Sequence, residues 1–299
     1  MMASVTTLQF GVNLRAIGNW QEMRRVVHRI DELGYDVVAV PDHLGAPSPF
    51  STLAAVSGIS PRLRVRTYVL NAGFWNAALL ARDVATLDRL SAGRVEVGLG
   101  AGHMKSEHDD AELPWFPLRE RVRALEELVV DLRRRLSDGR HQPVPVQQPI
   151  PILIGAMSRA GLSVAARHAD VVGFSGARQV PGAAIGTFTL SSPQETAERV
   201  HQVQVQAGGR PYRSDVLLQV VRLGGDPDVA AAELTRDIPH LTAEQARNSP
   251  FVLLARTAEQ AVDELLERHE RYGFDSVTTH QPSLEPLGQV IAALRARMN

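Results

Sequence analysis

Three short segments of this 299-residue chain carry side chains or bare backbone suited to chemistry. Pro41-Asp42-His43 closes a run of apolar, β-branched residues. A carboxylate beside an imidazole at a strand end suits proton transfer near neutral pH, or hydrogen bonding to a polar ring. The same two residues also read as a turn-capping aspartate and a loop histidine. Gly100-Ala101-Gly102-His103 ends a second run. Glycines one residue apart leave the backbone free of Cβ atoms, so a flat or anionic ligand can come close. His103 then offers a base, a ligand contact or a surface residue. Gly155-Ala156-Met157-Ser158-Arg159 joins a third run to a helical pattern. The amides of a first helical turn face an anion, with Ser158 and Arg159 as added donors. No Gly-Lys-Ser/Thr follows, so the segment resembles a phosphate seat rather than a nucleotide P-loop. Ordinary N-capping by Ser158 is the competing reading. Glu107-His108-Asp109-Asp110 has metal-ligating residue types, but its spacing matches no two-histidine zinc helix. It reads as a solvated loop, and no metal site is expected.

The elements that must position these residues alternate regularly. Strand patterns cover 8–13, 36–40, 63–70, 94–99, 150–155, 170–174, 215–222 and 275–279. Most are continuous Val/Ile/Leu runs, as in parallel sheets covered on both faces. Within 63–70, Thr67 and Leu70 read as core. Amphipathic helices lie between, at 20–33, 50–59, 77–90, 118–136 and 258–272. Gly34 and Gly273 stand just past two of them, where a left-handed cap is needed. Eight strand–helix alternations in about 300 residues predict a (β/α)8 barrel, with a doubly wound open sheet as the alternative. The chain is expected to form one domain over 1–299. Long connections at 102–117, 175–192 and 224–255 follow strands four, six and seven, and the last contains short helices near 229–236 and 242–248. In a barrel all three loops rise on the face where strands end, which is the face that binds ligands. Pro143 to Pro151 is an extended lead-in to strand five. The cleft is expected between the ends of strands two to six, gathering Asp42, Tyr68, Gly102 and Gly155.

Composition removes several function classes. The net charge is −1 and no basic run exists, so nucleic acid is not an expected partner. Arginine supplies 31 of the 32 basic residues, Lys105 being the exception, which points to GC-rich coding. With no cysteine, thiolate catalysis, disulfides and Cys-ligated metal are excluded. No long apolar stretch suggests a signal peptide or a membrane span, so a cytoplasmic protein is expected, without a membrane partner.

These segments in their order resemble the bacterial luciferase-like monooxygenase superfamily, in particular its deazaflavin (coenzyme F420)-dependent oxidoreductase branch. The resemblance rests on 33–43, ending in Pro41-Asp42-His43. It rests further on Ala78-Leu79-Leu80-Ala81-Arg82 with Ala85-Thr86-Leu87-Asp88-Arg89-Leu90-Ser91-Ala92-Gly93-Arg94. The glycine pair, Glu107, Arg119-Glu120-Arg121, Pro151-Ile152-Leu153-Ile154-Gly155 and Ala165-Ala166-Arg167-His168-Ala169-Asp170 continue it. It implies a (β/α)8 barrel binding F420, or alternatively FMN, at its C-terminal face. With F420 it implies hydride transfer to or from a small organic substrate. With FMN it implies a monooxygenase, and relatives without cofactor imply a non-catalytic ligand-binding barrel. It places a non-prolyl cis peptide near Tyr68–Val69 under the ring, ring contacts at Asp42, His43, Ala101 and Gly102, and phosphate contacts at Gly155, Ala156, Met157 and Ser158. His43 is the implied acid–base residue, with His103 as its competitor. Two departures stand out: His103 occupies a position commonly Trp or Glu, and Ala156 replaces a glycine. A homodimer is implied as well, in keeping with the apolar content of helices 50–59 and 77–90.

Overall fold

The computed structural model describes residues 8–180, 182–183, 187–238 and 240–298. Eight parallel strands close on themselves: β1 (Gln9–Asn13), β2 (Val37–Val40), β3 (Arg64–Thr67), β4 (Val95–Gly100), β5 (Ile152–Gly155), β6 (Val171–Phe174), β7 (Arg213–Leu218) and β8 (Ser276–His280). Each pairs with the next, and β8 pairs with β1. The outer helices are α1 (Trp20–Glu32), α2 (Pro49–Ile59), α3 (Ala77–Leu90), α4 (Leu118–Ser137), α5 (Arg159–His168), α6 (Pro193–Ala207), α7 (Ala258–Tyr272) and α8 (Leu284–Met298). The protein is therefore a (β/α)8 barrel, and the open-sheet alternative is set aside. Among the described residues no helix is long and apolar enough to cross a membrane.

The predicted elements differ from the observed ones in three places. The third strand stops at Thr67, and only Leu70–Asn71 rejoins the sheet, beside β4. The seventh splits after Leu218, and Val220–Leu223 leaves the barrel to pair with Val252–Ala255 from the third long loop. The second long loop carries an antiparallel hairpin, Ala177–Gln179 with Phe188–Leu190. The third also holds the helices Pro227–Asp237 and Ala243–Asn248. These short strands escape periodicity because two to four residues do not establish a repeat.

Side chains alternate along a strand, so every second residue faces the barrel axis. The inner filling is unusual for a barrel, where Val, Ile and Leu normally dominate. Arg66 lies at the centre with no solvent exposure. Its Nη2 is 2.6 Å from Glu96 and its Nη1 is 3.0 Å from Asp215. Asp215 also accepts from the Tyr68 hydroxyl at 2.6 Å, from Ser276 Oγ at 2.5 Å and from Thr278 Oγ1 at 2.9 Å. Arg64 and Arg213, at the starts of β3 and β7, pair with Glu96 from below. Burial opposes the Glu96 charge, yet Arg66, Arg64 and Arg213 together hold its pKa at about 2.

The most regular sequence segment, Leu90 to Arg94, works at the opposite end of the barrel from the long loops. Ala92 and Gly93 adopt positive φ and turn the chain from α3 into β4. Arg94 then ties this turn to the end of α2, donating to the carbonyls of Ser91, Ser57, Ser60 and Leu63. Its role is architectural.

Candidate functional site

The C-terminal ends of the strands gather the predicted residues. His43 follows β2 and His103 follows β4, and their rings meet edge to face with centroids 5.4 Å apart. Phe188 from the hairpin also packs edge to face on His103, with centroids 5.7 Å apart. Burial lowers the His103 pKa, with His43 adding to the effect, which favours its neutral form.

The sequence reading missed the partner of His43. Residues Lys105–Asp110 form a short helix and not a solvated loop, and it turns Glu107 and His108 inward. Glu107 Oε1 lies 2.7 Å from His43 Nδ1. A carboxylate accepts here, so Nδ1 carries the hydrogen, and in the neutral ring Nε2 keeps its lone pair. His108 serves structure. Its Nδ1 donates to the Pro114 carbonyl at 3.0 Å, which leaves Nε2 to accept from Asn71 Nδ2 at 3.0 Å. An apolar stripe would have marked the helix, but this acidic one shows no such pattern.

Asp42 is engaged by the protein itself. Its Oδ2 accepts from the Trp75 indole at 2.8 Å and from the Asn71 amide at 3.1 Å. Burial raises its pKa against these two bonds. The residue thus fixes the segment after Leu70 under the mouth. Asn71 fills the space beside Gly102, where a Cβ would lie 2.4 Å from Asn71 Oδ1. Gly102 has φ +72°, which a side chain would strain. Arg121 from α4 clamps the same turn, donating to the carbonyls of Ala101 and Gly102, while its guanidinium stacks 3.9 Å above the Trp115 ring.

The Tyr68–Val69 peptide is cis, at the position the resemblance indicated. The Tyr68 side chain turns down into the barrel to Asp215, so at the mouth it offers its backbone alone. Val69 turns up and covers the glycines. A Cβ on Gly100 would lie 2.7 Å from Val69 Cγ2, and one on Gly155 would lie 3.1 Å from Cγ1. The bare backbone expected at Gly100 is therefore occupied by Val69. The result is an apolar floor made of Val69 with half-buried Ala101 and Gly102 at its edge.

At the start of α5 the capping reading of Ser158 is the one observed. Its Oγ caps the helix by accepting from Gly161 N at 3.1 Å. The Ala156 amide is already bonded to the Gly173 carbonyl at 3.2 Å. An anion at this helix end would therefore meet the turn of Met157, Ser158 and Arg159. The floor and this helix end adjoin through Gly155, and together they suit a flat ring with a phosphate-bearing tail.

Opposite the floor, across the barrel, stand Asn13, Gln219 and His280, which sequence reasoning did not single out. Each lies at or just beyond a strand end, on β1, β7 and β8 respectively. The signal was their inward register, legible only once strand boundaries are known.

Comparison with known proteins agrees with the barrel fold. The profile of the luciferase-like monooxygenase family matches residues 1–186. An F420-dependent glucose-6-phosphate dehydrogenase from Segniliparus rotundus is 30% identical over 223 residues, 65% of this chain and 62% of that protein. An FMNH(2)-dependent dimethylsulfone monooxygenase from Pseudomonas putida is 31% identical over 131 residues, 39% of this chain and 36% of that protein. The chain thus spans less than two thirds of these relatives' lengths in alignment. Among solved structures, an F420-dependent secondary alcohol dehydrogenase in complex with an F420–acetone adduct superposes with a TM-score of 0.76 at 16% identity, covering 97% of this chain and 99% of the other. With a barrel of this topology and a family profile matching well over half its length, the chain belongs to the luciferase-like monooxygenase family.

Proposed function

We propose that this protein is an oxidoreductase that uses coenzyme F420 to exchange a hydride with a small organic substrate at the barrel mouth. One observation carries the reading: a carboxylate-anchored imidazole, Glu107–His43, stands beside an apolar floor that fits a flat ring. Two relatives in fold or sequence bear names with F420 chemistry, a glucose-6-phosphate dehydrogenase and a secondary alcohol dehydrogenase. When bound, a deazaflavin supplies the carbon that takes up or gives back a hydride.

The chain's own residues supply the remainder. Val69, Ala101 and Gly102 would support the ring, and the turn of Met157, Ser158 and Arg159 would hold the phosphate. In the oxidative direction an alcohol loses a hydride from carbon and a proton from oxygen as the carbonyl forms. His43 Nε2 is the lone pair available to take that proton, because Nδ1 is committed to Glu107. Glu107 then stabilises the imidazolium. In the reductive direction the same nitrogen returns the proton. His103 is the competing acid–base group, its ring edge to face with that of His43 at the same cleft.

FMN is the second reading, favoured by the name of the Pseudomonas putida relative. Titrating the purified protein with F420 and with FMN, each followed by fluorescence, separates the two. Tighter binding of F420 is expected. FMN binding alone would replace hydride exchange with monooxygenase chemistry. Binding of neither would leave a non-catalytic ligand-binding barrel and end the proposal.

A further inference from the structure

We infer that Asn13 and His280, backed by Gln219, form an anchoring subsite for a hydrogen-bond-donating substrate group, an alcohol hydroxyl or an amine, which excludes carboxylate and phosphate. This rests on the reading of the barrel mouth as the active site.

Strand register places the pair. A Cβ on Gly11 would lie 2.9 Å from Thr278 Oγ1, so both positions face the barrel axis. Two residues on, Asn13 and His280 face it too, and they are direct partners across the β1–β8 pairing. Asn13 is only 3% exposed. Among the described residues, Asn13 Oδ1 and His280 Nδ1 are both buried and neither has a hydrogen-bond partner. Native proteins rarely leave two such neighbours unmet, and each carries a desolvation cost until a ligand answers it.

The protonation of His280 follows from its other side. Gln219 Nε2 donates to the Ser175 carbonyl at 2.8 Å, which turns Gln219 Oε1 toward His280 Nε2 at 3.2 Å. An acceptor there requires that Nε2 carry the hydrogen. Burial, with Arg15 adding to it, holds the His280 pKa at about 4, so the ring has no second proton. Its Nδ1 is therefore a bare lone pair, on the residue that pairs across the strands with Asn13, whose side-chain carbonyl oxygen is also unmet. Two unmet acceptors on paired residues bind donors and repel anionic oxygens. Exposed Arg15 adds a positive field at the rim, but it bonds to neither atom. The position suits a substrate. On an eight-strand ring β1 and β8 face β4 and β5, which carry the floor, and β1 adjoins β2, which leads into His43.

The test is nitrogen-15 NMR of histidine-labelled full-length protein, with and without cofactor. The His280 signal is identified by its loss in His280→Gln. The Nε2–H tautomer is expected. Cyclohexanol should shift the Nδ1 resonance as that atom accepts a hydrogen bond, whereas cyclohexanecarboxylate should not. Asn13→Leu and His280→Phe should each weaken cyclohexanol binding about tenfold or more and leave cofactor affinity within a few fold. An Nδ1–H tautomer, no Nδ1 shift with cyclohexanol, or equal response to both probes would overturn the inference. The tautomer and probe measurements use the unaltered sequence, so they decide the matter even where a variant fails to fold. If the alcohol selectivity persists in a protein that binds neither F420 nor FMN, the proposed function fails and the subsite stands. If a cofactor binds and the probes do not discriminate, the subsite alone fails.

Discussion

Asp215→Asn is expected to destabilise the barrel by about 3 kcal/mol, at the lower end of what removing one partner of a buried ion pair costs. The carboxylate accepts four hydrogen bonds with no solvent exposure, from Arg66, Tyr68, Ser276 and Thr278. An asparagine retains one acceptor oxygen. If that oxygen stays on Arg66, Ser276 and Thr278, the amide nitrogen meets the Tyr68 hydroxyl, which can turn to accept. Most hydrogen bonds therefore survive, and the loss is mainly one of charge. After the change, the guanidiniums of Arg64, Arg66 and Arg213 share Glu96 as their one carboxylate within this network. At about 2.1 cal/mol/K per residue, a chain of 299 residues unfolds with an entropy of about 0.6 kcal/mol/K, so a fall of roughly 5 °C is expected. Calorimetry and urea unfolding should agree on it. Arg66→Met in the same background removes the under-compensated cation and should recover part of the loss, with a coupling of about 1–3 kcal/mol. A single-variant loss under about 1 kcal/mol, or strict additivity of the two changes, would refute the claim that paired charge holds the interior.

Four further outcomes are expected. His43→Ala should cut turnover by about 10²-fold or more while cofactor affinity changes little, and Glu107→Gln should weaken the same step; if His103→Ala gives that pattern and His43→Ala loses cofactor instead, the two roles exchange. Stability should decline on acidification from about pH 6.5 towards pH 4, because unfolded His280 takes a proton at its ordinary pKa while the folded residue resists until about 4; the contribution is complete above pH 6.5 and amounts to at most about 3 kcal/mol, so a His280→Gln variant whose thermal midpoint falls just as steeply would contradict it. Gly155→Val brings a Cβ to within 3.1 Å of Val69 Cγ1 and should displace the floor, lowering cofactor affinity at least about tenfold with the fold retained; unchanged affinity by fluorescence titration would move the ring elsewhere. We also propose a homodimer, in keeping with exposed Leu79 and Leu90 on α3; light scattering that finds only a 32.6 kDa species at micromolar concentration would reject it.

The barrel was legible in the sequence because its strands are continuous Val/Ile/Leu runs and its helices amphipathic, and these are local, periodic properties. The same is true of Gly34 and Gly273, both of which adopt the positive φ their positions suggested. His43 and His103 were legible because each directly follows a strand, so the parallel topology alone brings them to one face. The partners that give them chemistry were not legible. Glu107 lies 64 residues from His43 and within an acidic segment with no apolar stripe, so only the closed barrel brings its carboxylate inward. The glycine pair was visible, but not that Val69 fills the space above Gly100, since a glycine records that something approaches and not what does. Asn13 and His280 are 267 positions apart and become neighbours because the first strand closes on the last. Register across that closure is a property of the whole sheet. It sets which side chains face inward together, and so it decides which buried polar atoms are left for a ligand to meet.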